Sequence, residues 1–284
     1  MNKILKTLVF VVFGLIVVAA NAQTVEFNHQ TGKYIEIDGA NIYYEEIENA
    51  GKPVLLFLHG GFGNIEDFNP ILSIYTNDYY IIGIDSRGHG KSTLGANNLT
   101  YKRLQFDVEA VVNHLQLKNI DIIGYSDGGV IAYRLAAANK ISIRKMVTIG
   151  ATWSLSDAEL MEKTMEGETP ERGRETWLRR SFDFHQKYNP IPDFDKFARC
   201  VFEMWTDKTE DGYPQESVEN INVPTLIIRG NDDYTFPLES AVELTMKIKN
   251  SLFFNIPFAP HDAHRKYPQI FEIVTKEFLN INNT

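Results

Sequence analysis

The sequence predicts an α/β protein, a doubly wound and mostly parallel sheet with a helical cap inserted between two of its strands. Three observations predict it. Short β-branched runs recur along the chain with helical patterns between them, the alternation that builds a parallel sheet with right-handed crossovers. Gly124-Tyr125-Ser126-Asp127-Gly128-Gly129 stands where one such run meets a helix-forming stretch. Finally, residues 151–222 carry helix starts and no convincing strand.

Residues 1–22 lie outside the fold. Lys3 and Lys6 precede an apolar core from Leu8 to Ala20, and Ala20-Asn21-Ala22 supplies small residues at the cleavage positions. That pattern is a cleavable export signal cut before Gln23. Its apolar stretch is short for a spanning helix, and no cysteine follows it to carry a lipid. The expected product is a secreted or periplasmic protein with no stable membrane anchor. Loss of the two lysines takes the formal charge from −9 to −11, which disfavours nucleic acid and anionic lipid as partners. Cys200 is the only cysteine, so no internal disulfide forms, and a buried place in a helix is expected.

In chain order, Lys33–Ile37 and Asn41–Glu46 alternate about Asp38-Gly39 and read as a hairpin. Pro53–Leu58 is a continuous apolar run, the mark of a strand covered on both faces, and Tyr79–Ile84, Ile120–Gly124, Ile143–Ile149, Pro224–Ile228 and Leu252–Ile256 read as strands in the same way. Leu104, Val108, Val111 and Leu115 share one helical stripe, with Thr100 as its cap. Val130–Ala138 forms the helix after the glycine-rich turn. Within 151–222, Ser156-Asp157-Ala158-Glu159 reads as a capping box and Thr169-Pro170 as a cap with proline at the first helical position. Pro192-Asp193 opens a helix carrying Phe194, Phe197, Val201 and Trp205. The expected organisation is therefore a core of 23–150 and 223–284 with a cap or lid of 151–222.

A serine between glycines on a tight strand-to-helix turn is a nucleophile elbow. Side chains at Gly124 or Gly128 would collide with the neighbouring strand or helix. Ser126 would stand at a helix N-terminus, where N–H groups meet developing negative charge. A serine hydroxyl needs a base, and the base needs an orienting acid. Asp232 and Asp233 follow the strand ending at Ile228, and His261 follows the last strand, with His264 close behind.

Four motifs together resemble the α/β-hydrolase fold serine hydrolases, esterase-like members above all, over about residues 33–281. His59-Gly60-Gly61-Phe62-Gly63 resembles their oxyanion loop. Asp85-Ser86-Arg87-Gly88-His89-Gly90-Lys91-Ser92 resembles their loop after the next strand. The elbow is the third motif, and the acid and histidine loops are the fourth. The resemblance implies Ser126 as nucleophile, Asp233 as acid from its spacing to Gly230, and His261 as base from its spacing to Pro268. Asp232 and His264 are the alternatives. Pro260 departs from the family, which has glycine before that histidine.

The resemblance further implies an oxyanion hole from the backbone of Asp127 and of Gly61, with Phe62 as alternative, and a scaffolding role for His59 and His89. The Asp127 side chain either caps the elbow helix or lines the pocket to favour a cationic group, as in amino-acid-ester hydrolases of this fold. Phe62 and Phe258 are candidate substrate contacts. Some of the aromatics between Trp153 and Trp205 line a pocket, while others pack the core. The expected activity is hydrolysis of a small carboxylic ester or lactone through an acyl-enzyme, with neither metal nor organic cofactor. An aminopeptidase-like amidase, or a non-catalytic binding protein on the same scaffold, is the alternative.

Overall fold

The computed structural model describes residues 25–96 and 98–280; the expected export signal, 1–22, lies outside them. Eight strands form one sheet: β1 (Lys33–Ile37), β2 (Ala40–Ile47), β3 (Val54–Leu58), β4 (Tyr80–Ile84), β5 (Ile120–Tyr125), β6 (Ile143–Ile149), β7 (Thr225–Gly230) and β8 (Ser251–Ile256). Their order is β1-β2-β4-β3-β5-β6-β7-β8. The β1–β2 and β2–β4 pairs are antiparallel and the remaining pairs parallel. In β3, Leu56 and Leu58 join the apolar cluster on one face, while Leu55 and Phe57 join the cluster on the other. Both faces are thus covered, which is why the strand reads as an unbroken apolar run.

One face is covered by α2 (Tyr101–His114) and α3 (Asp127–Ala138). The Thr100 hydroxyl caps α2 by accepting the Arg103 N–H at 3.1 Å, as the sequence predicts. On the other face lie α1 (Asn69–Leu72), α9 (Ala263–Lys266) and α10 (Pro268–Leu279). Helix α8 (Leu238–Lys247) packs beside β7 and β8.

Between β6 and β7 stand four α-helices, α4 (Leu155–Thr164), α5 (Pro170–Glu175), α6 (Arg179–Tyr188) and α7 (Phe194–Trp205), followed by a 3-10 turn at Gln215–Asn220. Thr169 caps α5 with Pro170 in its first turn, and Asp193 caps α7. The capping box of α4 is a correction: it is Ser154 with Asp157, two residues before the expected Ser156. Asp157 Oδ2 accepts from the N–H groups of Trp153 and Ser154 and from the hydroxyls of Ser154 and Ser240, and these contacts decide the start. Cys200 sits half-buried on α7, and burial raises its thiol pKa.

The parallel register aligns the functional loops. Leu58 pairs with Gly124, so the loops after β3 and β5 emerge side by side. Gly230 pairs with Ile256, which joins the loops after β7 and β8. Carboxyl ends of parallel strands are where such sheets bind ligands.

A buried charge ties the N-terminal segment to the rest. His29 lies between Glu66 (2.6 Å from Nδ1) and Asp85 (2.8 Å from Nε2), and its ring packs on Phe184 and Tyr188 of α6. Burial opposes a charge there, but the two carboxylates prevail and raise its pKa to about 9. A histidine with a raised folded pKa stabilises fully below its unfolded value, near 6.5, and loses that contribution as pH rises through 9. The loss is expected to reach up to about 3 kcal/mol. Urea unfolding from pH 6 to 10, with His29→Gln as reference, checks it. A wild-type curve parallel to that of the variant would refute the assignment.

Candidate active site

Ser126 joins β5 to α3 with φ 50° and ψ −118°, a region that costs a non-glycine residue about 1–3 kcal/mol. The surroundings hold it there. Its N–H donates to the Ile149 carbonyl (2.8 Å), and its own carbonyl accepts from Gly129 (2.8 Å) and Val130 (3.1 Å). The flanking glycines are required by close approach. A Cβ at Gly128 would lie 1.9 Å from the Leu58 carbonyl oxygen, and one at Gly124 2.5 Å from that of Gly128.

Ser126 lines a cavity of about 360 Å³ with His261, Gly60, Gly61, Asp127, Trp177 and Trp205. A larger open groove of about 1090 Å³ runs along α2 and α3 and contains none of these residues. His261 Nδ1 donates to Asp233 Oδ2 at 2.8 Å. The other carboxylate oxygen accepts from the Thr235 N–H (2.9 Å), the Thr235 hydroxyl (2.7 Å) and the Phe236 N–H (3.2 Å). Burial alone would raise the Asp233 pKa, but the His261 contact and the Thr235 donors hold it below the ordinary carboxylate value. Arg229 fastens this loop by donating to the carbonyls of Phe236 (2.5 Å), Asp233 (2.8 Å) and Asn231 (3.1 Å).

The alternatives lie elsewhere. Asp232 is exposed, with its side chain accepting from Asn231. His264 is buried against Phe68, Tyr125 and Phe271, has no hydrogen-bond partner, and is driven by burial down to about 3. Such a ring is kept neutral.

Two backbone stretches face Ser126. Asp127 opens α3, where N–H groups lack intrahelical partners. Gly61 packs against Asp127 and Trp205, so that a Cβ there would lie 2.6 Å from Asp127 Oδ2. His59 clamps this loop: its Nε2 accepts the Ser86 N–H (2.9 Å) and its Nδ1 donates to the Gly60 carbonyl (2.8 Å). His89 is buried beside it and bonds the Arg87 carbonyl. Both are scaffold.

The Asp127 side chain does not cap its helix. It accepts from the Tyr101 hydroxyl (2.8 Å) and from Trp205 Nε1 (2.9 Å) and lines the cavity. Burial raises its pKa, opposed by those two donors. Of the two expected contacts, Phe258 does not line this cavity, and Phe62 lines a smaller one beside it. Phe62 has a positive φ and packs edge-on among Trp177, Phe197, Phe202 and Trp205. Phe258, also at positive φ, turns its ring outward and is 79% exposed. Of the cap aromatics, Trp177, Trp205 and Tyr213 line the cavity; Met161, Met165 and Glu168 join them.

The sequence reading missed several partners. Thr235 is one that a local signal marks, for an Asp whose carboxylate accepts an N–H two residues on makes an Asx turn. Gly150, at φ 58°, carries no such mark; a Cβ there would lie 2.8 Å from His261 Nδ1. Tyr101 and Trp205 reach Asp127 from 26 and 78 residues away. A hydroxyl, an imidazole bound to a buried carboxylate and the N-terminus of a helix meet at one cavity, a set of groups suited to acyl transfer.

Comparison with known proteins fits this geometry. Residues 53–180 match a family model described as alpha/beta hydrolase fold. The chain is 26% identical over 261 residues to the human protein named serine hydrolase BPHL, covering 88% of this chain and 86% of that one. It is likewise 26% identical over 254 residues to the bifunctional esterase/perhydrolase DCH of Acinetobacter calcoaceticus, covering 79% and 90%. An esterase structure from Exiguobacterium antarcticum superposes with a TM-score of 0.70 at 22% identity, over 88% of this chain and 99% of that one.

Proposed function

Because the chain is a hydrolase of the α/β-hydrolase fold, we propose that it cleaves a small carboxylic ester through a Ser126–His261–Asp233 triad. The observation that carries this is the His261–Asp233 bond at 2.8 Å on the wall of the cavity that holds Ser126. His261 Nε2 takes the Ser126 proton as Oγ attacks the ester carbonyl, and Asp233 keeps the proton on Nδ1. The tetrahedral oxyanion is met by the N–H groups of Gly61 and Asp127, each worth a few kcal/mol of barrier. Collapse breaks the ester C–O bond, and His261 returns the proton to the leaving alcohol. Water then attacks the acyl-enzyme by the same route, releasing the acid.

The cavity wall carries the Asp127 and Glu168 carboxylates. We therefore propose aminoacyl esters as the favoured class. The test is a panel of acyl aryl esters, aminoacyl esters and aminoacyl anilides. An aminoacyl preference that falls about tenfold or more in Asp127→Asn is expected, an ammonium–carboxylate contact in a buried site being worth more than about 1.4 kcal/mol. Equal use of neutral and aminoacyl esters would remove Asp127 from recognition, and anilide cleavage would favour an amidase.

Export is likewise proposed, from the 1–22 leader. The protein recovered outside the cytoplasm should begin at Gln23 by intact mass. A chain retaining Met1 there would contradict it.

A further inference from the structure

A second, smaller chamber adjoins the Ser126 cavity. It has a volume of about 160 Å³ and shares Gly60, Gly61 and Tyr125 with the larger one. The remaining wall combines two arginines, Arg180 of α6 and Arg265 of α9, with Asp67, Asn64, Gly63 and Ser181 and the rings of Phe62 and Phe184. The two guanidiniums converge on one carboxylate oxygen: Asp67 Oδ1 lies 3.2 Å from Arg265 Nη1 and 3.7 Å from Arg180 Nη2. Its other oxygen is occupied by the Asn64 N–H at 3.1 Å.

The two arginines differ in what else they hold. Arg265 is bound at its other edge by Asp262, 3.2 Å from both Nε and Nη2, so its charge is matched by two carboxylates. Arg180 has only a distant share of the Asp67 oxygen, and its side chain is 82% exposed. Most of its donors are available to a ligand. Asp67 and Asn64 hold each other in a capping box, so Asp67 is fixed in place and cannot swing out to cover Arg180.

We infer that this chamber binds the carboxylate of the substrate, with Arg180 as the specificity-determining group. A planar guanidinium fork matches a carboxylate in two-point fashion. Gly60, Gly61 and Tyr125 border both spaces, and in this proposal one short molecule reaches across them with its ester carbonyl at Ser126 and its acid end at Arg180. The substrate class is then a short aminoacyl ester that also carries a free carboxylate at its far end, its ammonium at Asp127 and its acid at Arg180, and this rests on the hydrolysis proposed above.

The test compares the monoaryl ester of glutaric acid with the aryl ester of its monoamide, a neutral partner of the same shape. Wild type is expected to favour the acid by about tenfold in kcat/KM at low salt, with the preference shrinking as salt screens it. The ratio should fall to about one in Arg180→Gln and below one in Arg180→Glu. A wild-type ratio of one, or a preference that both variants keep, overturns the inference. Should no ester be cleaved at all, the proposed hydrolysis fails separately. Glutarate binding to the wild type by calorimetry then decides the chamber, and it is expected to weaken about tenfold in Arg180→Gln. Absence of glutarate binding, or binding of inorganic phosphate as tight as that of glutarate, counts against a substrate-carboxylate site.

Discussion

Ser126→Ala is expected to lose ester hydrolysis by about 10⁶-fold, as removal of a nucleophile does in a triad that works as a unit. The loss should appear in kcat, with the Michaelis constant little changed, because the cavity wall is otherwise intact. Folding should persist, since the hydroxyl is not what holds the elbow. The Ile149, Gly129 and Val130 bonds all use backbone groups of residue 126. A companion variant separates strain from chemistry. Ser126→Gly should be equally inactive yet more stable by about 1–3 kcal/mol, because glycine tolerates φ 50° at little cost. An Ala variant that keeps a tenth of the activity would place the chemistry elsewhere.

Asp233→Asn is expected to lower kcat by about 10⁴-fold while leaving the fold intact. The direction of the amide is dictated by its neighbours. Asp233 Oδ1 receives three donors, from Thr235 twice and from Phe236 once, so the asparagine must keep its carbonyl oxygen there. Its NH₂ then faces His261 Nδ1 and can only donate to it. That forces the proton onto Nε2, the nitrogen that should accept from Ser126, and the base is lost. The pH–rate profile separates this from misfolding: activity should recover with rising pH, as hydroxide substitutes for the missing base, while unfolding midpoints change little. An Asp233→Asn enzyme with normal kcat at pH 7 would rule out the carboxylate as tautomer control.

Much of this architecture is legible in the sequence because burial on both faces leaves an unambiguous trace. β3 is an unbroken apolar run, and β5 and β7 have apolar centres at Ile122-Ile123 and Leu226-Ile227-Ile228, since each side chain, up or down, meets a helix layer. The elbow is legible for a related reason, in that backbone contacts at Gly124 and Gly128 leave no room for a Cβ. Local hydrogen bonding also marks the helix starts at Thr100, Thr169 and Asp193.

What the sequence hides is set by distant partners. The stretch Arg179–Tyr188 is rich in charge and has no side-chain cap; it is helical because its apolar side packs, His185 stacking on Phe197 at 4.9 Å. Phe62 and Phe258 stand in the loops after β3 and β8, beside Gly61 and near His261, yet positive φ values turn one into the cap aromatics and the other to solvent. Adjacency along the chain places a Cα, and the backbone conformation decides where the ring goes. The engagement of Asp127 by Trp205 depends on how α7 seats over the elbow, which no local pattern encodes.

The central claim is that Ser126 is a nucleophile activated by His261. The most direct measurement is intact and peptide mass after reaction with an aryl fluorophosphonate, which forms a stable phosphonyl–serine bond with loss of fluoride. A single adduct on the peptide containing Ser126 is predicted, absent in Ser126→Ala and formed at least 10²-fold more slowly in His261→Ala. No adduct on folded wild type, or an adduct on another residue, would contradict the account.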